Sequence, residues 1–406
     1  MISRKKLAIT IIAASSLFVS TTPASAKDVI LNGSGATFAQ PLIDSCKVDY
    51  AADTGNMINY PGGGSGKGRT DFTSNLVDFA GSDAPFVGIA EPANTIYAPI
   101  FAAPIAVMYN LPTVKETIYL TPKTVALIFS GEISNWNDSR IAKDNERTVK
   151  TPVYATKVVS VKKSKVDKKT KKKVVTTSSK TVPALDSKGQ AIVASYDSKV
   201  VNIDLPSTPI TVWYRSDSSG TSENFTKFLN GAAKSDWPKS QAPVFANATP
   251  TAISALFNFQ GASGSAAVAA GVKGKVGSIS YSELSFATDN KLPAAFIQNA
   301  NSEFVAPDAA GTSIFLGGGT INANGTVSVD FAKKIPGAYP LGTASYGLAY
   351  DTSKPGQYKN PVMQAAVADW FTYILEKCPT KYPEKGFAQI TGPLATKAKE
   401  QIAKIK

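Results

Sequence analysis

The sequence predicts an α/β protein with largely parallel sheets, and three observations carry that expectation. Strand-like runs alternate with helical patterns along most of the 406 residues, the order that strand–helix–strand units require. Apolar residues make up 43% of the chain against 18% charged, enough to bury a sizeable core. The length suits two or three domains, and no internal repeat divides it.

The elements follow in order. Residues 1–26 read as a secretory leader. Arg4, Lys5 and Lys6 precede an apolar run from Leu7 to Val19 that is too short to span a bilayer, and Ala24-Ser25-Ala26 supplies small cleavage-site residues. The mature chain is then expected to begin near Lys27 and to work outside the cytoplasm, in a periplasm or extracellularly. No cysteine follows the apolar run, so no lipid anchor is expected. DVILNGSG reads as a strand feeding a helix in which Phe38, Leu42, Ile43 and Cys46 recur at helical spacing. MINYP leads into a Gly-rich turn and a helix containing Arg69 to Ser74. APIFAAPIAVMYN and ITVWYR read as strands, and TPKTVALIFSG, TSENFTKFLNGA and PVMQAAVADWFTYILEK as helices.

The formal charge of +13 is concentrated in one place. Three basic residues lie in the leader, and ten lysines against Asp167 lie between Lys157 and Lys180, which leaves the rest of the mature chain near +1. A nucleic-acid-binding body is disfavoured on that count. Within the basic segment, Val158 to Val161 and Val174 to Thr177 flank the lysines, and a second pair of runs flanks Asp186-Ser187-Lys188-Gly189. Residues 148–205 read as an inserted two-hairpin β-ribbon or a partly disordered arm. Its lysines discourage edge pairing or bind an anionic polymer.

Composition also excludes chemistry. There is no histidine and there are only two cysteines, which removes Ser-His-Asp and Cys-His catalysis together with His- or thiolate-ligated metals. Asp and Glu do not cluster at metal-ligand spacing. A P-loop fails at Pro61 and Gly68, and neither G-x-G-x-x-G nor G-x-S-x-G is present. Neither a cofactor nor a metal is expected, and a binding protein is favoured over an enzyme.

Four segments share another layout, a strand followed by a turn rich in Gly, Ser, Thr and Asp: GSGATF (33–38), YPGGGSGKG (60–68), VDFAGSDAP (77–85) and RSDSSGTSENF (215–225). In three of them the turn opens a helix, whose free N–H groups and positive dipole end suit an oxyanion. Hydroxyls add donors, and Arg215 offers a planar bidentate cation.

In this order and spacing the four motifs resemble those of the phosphate-binding proteins that serve phosphate ABC transporters. GEISNWND (131–138), VGSISY (276–281) and YPLGTASY (339–346) match further, while the Lys-rich insertion and the missing lipid-anchor cysteine depart from the pattern. The resemblance implies a type II periplasmic-binding-protein-like fold, two α/β lobes joined by two hinge strands. Lobe one would hold residues 27–108 and 340–406, and lobe two 109–339, with 148–205 inserted. The implied phosphate contacts are Thr37, Phe38 through its backbone, Ser65, Asp83, Arg215, Asp217, Ser219, Gly220 and Thr221. The implied partners are inorganic phosphate and membrane permease subunits, the protein itself acting as a monomer. Cys46 and Cys378 then share lobe one, and export permits a disulfide between them.

Asp83 explains how a carboxylate belongs in an anion site. An ionised carboxylate only accepts hydrogen bonds, so it selects a ligand that carries a proton. Phosphate at neutral pH keeps at least one and sulfate has none. Alternative functions are a binder of another tetrahedral oxyanion, a histidine-free phosphatase, and a wall-associated protein reusing the fold.

Overall fold

The computed structural model describes residues 29–166, 173–184, 186–187, 192–201, 203–354 and 361–405. The expected leader, residues 1–26, and part of the lysine run, residues 167–172, lie outside the described residues. One eight-stranded sheet organises the molecule. Its strands in chain order are β1 (Ile30–Gly35), β2 (Met57–Asn59), β3 (Phe79–Ser82) and β4 (Thr95–Tyr109). Four ribbon strands follow: β5 (Arg147–Tyr154), β6 (Thr156–Val166), β7 (Lys173–Pro183) and β8 (Val193–Val201). The main sheet resumes with β9 (Thr211–Arg215), β10 (Phe259–Ala262), β11 (Ser278–Glu283) and β12 (Gly342–Tyr350). Across the sheet the order is β10-β9-β11-β4-β12-β3-β1-β2.

Pairing is parallel at both ends and antiparallel in the middle. β1 runs parallel to β2 and β3, and β9 runs parallel to β10 and β11. Between these blocks β4 and β12 pair antiparallel with each other, β4 with β11, and β12 with β3. The expected parallel character therefore holds within each block, while the two strands that join the blocks break it. β4 is buried along nearly its whole length, as its continuous apolar sequence TIYAPIFAAPIAVMY requires. Its two prolines sit where ladder bonds are interrupted. Pro99 faces Tyr346 beside a bulge at Ile100, and Pro104 ends the β12 ladder just before Ile105 turns to β11.

The helices that matter for the site each begin at the end of a strand. They are α1 (Gln40–Thr54), α2 (Ser65–Thr73), α3 (Pro122–Phe129), α4 (Gly220–Ala232) and α5 (Ser265–Gly274). Two late helices, α6 (Pro361–Lys381) and α7 (Gly392–Ile402), pack on β4 with the rest of the core. α6 also lies against α1, where Tyr50 meets the rings of Trp370 and Tyr373 at 4.9 and 5.1 Å. Among the described residues no helix is long and apolar enough to cross a membrane.

The insertion is a ribbon, with one departure from expectation. β6 and β7 pair antiparallel on either side of residues 167–172. The strand after Asp186-Ser187, however, pairs with β5 rather than with the strand before it, so β5 and β8 make the base of the ribbon and β6 and β7 its outer arm. Ala155, Ala184 and Ile192 join the two ladders through backbone hydrogen bonds. Val158, Tyr196 and Val200 are exposed, which two strands without a covering layer cannot avoid.

Cys46 of α1 and Cys378 of α6 form the disulfide, with Cα atoms 5.8 Å apart and a sequence separation of 332. A crosslink that closes so long a loop removes entropy from the unfolded chain. Replacing both cysteines by alanine is expected to lower stability by roughly 2–5 kcal/mol, read as an earlier denaturant midpoint at unchanged slope. A midpoint equal to that of the parent would show that the bond contributes nothing.

Candidate functional site

The ends of β1, β3 and β9 face each other across the sheet, and the turns that follow them meet in one place. After β1, the amides of Ala39 and Gln40 close turns onto the carbonyls of Ala36 and Thr37 at 3.2 and 3.3 Å. Thr37 and Phe38 sit at the open start of α1. The Phe38 ring is fully buried and stacks on Phe101 at 6.3 Å, so only its backbone is left for a ligand. Thr37 Oγ1 lies 3.1 Å from Ser265 Oγ and accepts from the Ser265 amide at 3.2 Å.

Arg215 ends β9 and is 1% exposed. Its guanidinium grips both carboxylate oxygens of Asp217, Nε at 2.7 Å from Oδ1 with Nη2 on Oδ2, and Nη1 donates to Ser265 Oγ at 3.0 Å. These bonds occupy three of the five N–H donors that arginine carries. Asp217 therefore orients Arg215, and it also accepts from the Gly264 amide at 3.0 Å. Burial alone would raise the Asp217 carboxyl, but Arg215 and that amide hold it below the usual carboxylate range.

The turn of the second motif lies against the fourth. Gly64 has φ +92°, and a Cβ there would stand 2.6 Å from Asp217 Oδ2, so both its conformation and its clearance demand glycine. The Gly66 amide donates to the Ser218 carbonyl at 3.0 Å. Ser219 caps α4 by accepting from the Ser222 amide at 3.2 Å. Gly220 opens that helix so close to the other turns that a Cβ would meet Ser65 Oγ at 2.6 Å and Asp83 Cβ at 3.0 Å. The Thr221 hydroxyl is buried and without a hydrogen-bond partner among the described residues, which is costly unless a ligand completes it.

Asp83 follows β3 and is 2% exposed. Its Oδ1 accepts from Ser345 Oγ at 2.9 Å, and its Oδ2 faces Ser65 Oγ at 3.4 Å. Burial pushes this carboxyl up to about 6, against the opposing pull of Ser345, Arg215, Ser65 and Arg69. Asn224 of α4 donates to the Asp83 carbonyl at 2.7 Å. Beside it Arg69, from α2, holds the Pro85 carbonyl at 2.6 Å and approaches Glu223 of α4 at 3.7 Å.

All nine expected residues thus lie in one connected cluster. Three neighbours were not foreseen. Ser265 comes from GASGS at the end of β10, a fifth strand–turn–helix segment whose Gly/Ser composition carried the signal. Ser345 lay inside the quoted YPLGTASY without being singled out, and Asn224 inside the fourth motif. Among the described residues no group of three His, Cys, Asp or Glu side chains is placed to hold a metal ion.

The family model of the PBP superfamily domain matches residues 20–377. The chain is 28% identical over 356 residues to the phosphate-binding protein PstS 2 of Mycobacterium tuberculosis, covering 83% of this chain and 79% of that one. It is 27% identical over 372 residues to the phosphate-binding protein PstS of Xylella fastidiosa, covering 88% and 81%. The solved structure of a high-affinity periplasmic phosphate-binding protein, PfluDING, bound with phosphate, matches with TM-score 0.61 at 19% identity over 92% of this chain and 93% of that one. An ancestral soluble variant of the human phosphate binding protein matches with TM-score 0.62 at 20% identity over 91% and 92%. These structures share the fold. With the family model spanning most of its length and phosphate-binding proteins among its relatives, the chain belongs to the PBP superfamily.

Proposed function

We propose that this protein captures inorganic phosphate between two lobes, 27–108 with 340–406 and 109–339, and delivers it to the permease subunits of a membrane ABC transporter. It is a solute-binding protein and performs no chemistry on its ligand. The observation that carries the assignment is the pairing, in one buried cluster, of a fixed guanidinium with a carboxylate acceptor. Arg215 meets the charge of an oxyanion, and Asp83 takes the proton that hydrogen phosphate carries and sulfate lacks. The orphaned Thr221 hydroxyl and the start of α4 supply further donors. Thr37, Phe38, Ser65, Ser219 and Gly220 complete the cage, with Asp217 as the holder of Arg215. The leader-like residues 1–26 support export to a periplasm or the outside of the cell, where the protein acts as a monomer. The lysine-rich ribbon supports attachment to an anionic envelope polymer.

Calorimetry with phosphate tests the cage. Arg215→Ala is expected to lose roughly 1.5–3 kcal/mol for each charged hydrogen bond removed, and Ser65→Ala about 1 kcal/mol. Equal losses in the two variants would contradict the role given to Arg215.

Selectivity follows the protonation of Asp83. Because burial raises it to about 6, the group is an acceptor above that pH and a donor below it. Sulfate is therefore expected to be excluded at pH 8 and to compete measurably only under more acidic conditions. Asp83→Asn, whose amide donates at every pH, is expected to admit sulfate at pH 8 as well. Sulfate exclusion that survives both conditions would refute the proton-reading role.

Deleting residues 150–200 is expected to leave phosphate affinity nearly unchanged and to abolish salt-sensitive sedimentation with purified cell walls, since screening over about 10 Å at 0.1 M salt weakens such attraction. A deletion variant that sediments as fully as the whole chain would assign the ribbon no binding role.

A further inference from the structure

β3 and β12 pair antiparallel with Ser82 opposite Tyr346, Gly81 opposite Gly347 and Ala80 opposite Leu348. Continued by one residue past the ladder, that register sets Asp83 opposite Ser345. The two side chains meet there, Ser345 Oγ donating to Asp83 Oδ1 at 2.9 Å across 262 residues of sequence. Ser345 is fully buried and lies opposite Phe101 of β4, next to the bulge at Ile100. Directly opposite residues on one face are held within side-chain contact, and a slip of one residue would turn the hydroxyl to the other face.

We infer that Ser345 is a positioning residue that determines anion specificity: its hydroxyl pins Oδ1 of Asp83 and leaves Oδ2 as the acceptor that a ligand proton must meet. The inference rests on the phosphate-binding role proposed above and adds the residue that keeps Asp83 an acceptor. A hydroxyl donated to one carboxylate oxygen favours the ionised form and fixes the rotation of the group. The surroundings of Asp83 supply charge and one longer hydroxyl contact, Ser65 Oγ donating to Oδ2 at 3.4 Å, but among the described residues no second donor to Oδ1. Arg215 and Arg69 act on it through space. Lys227 and Tyr346 line a cavity of about 190 Å³ that Asp83 also lines. Glu223 faces Arg69, and the Tyr60 hydroxyl accompanies Gly81 just before Asp83. Without Ser345, burial acts on the carboxyl with less opposition. The neutral acid then persists to higher pH and donates to an oxyanion that carries no proton.

The test is Ser345→Ala, with calorimetric affinities for phosphate and for sulfate from pH 5 to pH 8 in parent and variant. The parent's preference for phosphate over sulfate is expected to fall about tenfold in the variant near neutral pH, the loss of one charge-assisted hydrogen bond. The pH below which sulfate competes is expected to move upward. Carbon NMR of aspartate-labelled protein without ligand, with the Asp83 signal assigned by its loss in Asp83→Asn, is expected to show the carboxyl titrating at higher pH in Ser345→Ala. An unchanged selectivity profile, an equal loss of both anions at every pH, or an unmoved Asp83 titration would each overturn the inference. If the parent itself prefers sulfate or binds neither anion, the phosphate-binding proposal fails, and the NMR titration still decides whether Ser345 holds Asp83.

Discussion

The antiparallel pairing of β4 with β12 is the constraint on which the rest of the structure depends. On one side of this pair lies the parallel block β2-β1-β3, and on the other the parallel block β11-β9-β10. Parallel strands place all their C-terminal ends, and the helices that follow them, on one edge. Joined through an antiparallel pair, the two blocks present those edges to each other. The turns after β1, β3 and β9 therefore meet without any of them being long. The bulge at Ile100 and the partner change at Ile105 are where β4 accommodates both blocks.

Within the cluster, burial decides the behaviour of every charge. Arg215 and Asp217 are both withdrawn from water, and each is acceptable only because the other completes its hydrogen bonds. Asp83 has no such partner. Neutral hydroxyls from Ser345 and Ser65 hold it, with the two arginines at longer range. One carboxylate is thus kept firmly ionised and the other poised, and only the poised one can respond to a proton on a ligand. Arg69 of α2 and Glu223 of α4 form a looser ion pair at 3.7 Å, in which Glu223 Oε2 has no hydrogen-bond partner among the described residues and burial raises the carboxyl.

Close approach is the second determinant. Gly64 and Gly220 are the points at which turns from the two blocks nearly touch, and a methyl group at either would displace a side chain of the anion cluster. Ser218 reinforces the contact by accepting from the Gly66 amide. The disulfide lies away from this region, between α1 and α6, so it firms the block behind Thr37 without spanning the meeting of the turns.

Much of this was legible in the chain because it is local. Strand, turn and helix follow one another within each motif, and the residue types that suit an anion (Gly for approach, Ser and Thr for donors, Arg for charge) stand at fixed offsets from the strand ends. The ten lysines of the insertion likewise announced a segment without a core. What the sequence did not contain is register. Nothing near Asp83 in the chain names Ser345, 262 residues away, as its partner, and nothing near Arg215 names Ser265. The ribbon was misread for the same reason, since β8 had two partners of similar composition and only the closed ladder selects β5. By itself the sequence determined which residues end each strand and what chemistry they bring. The tertiary structure alone decided which of them face one another, because cross-strand pairing is fixed by the packing of whole strands and not by any residue in them.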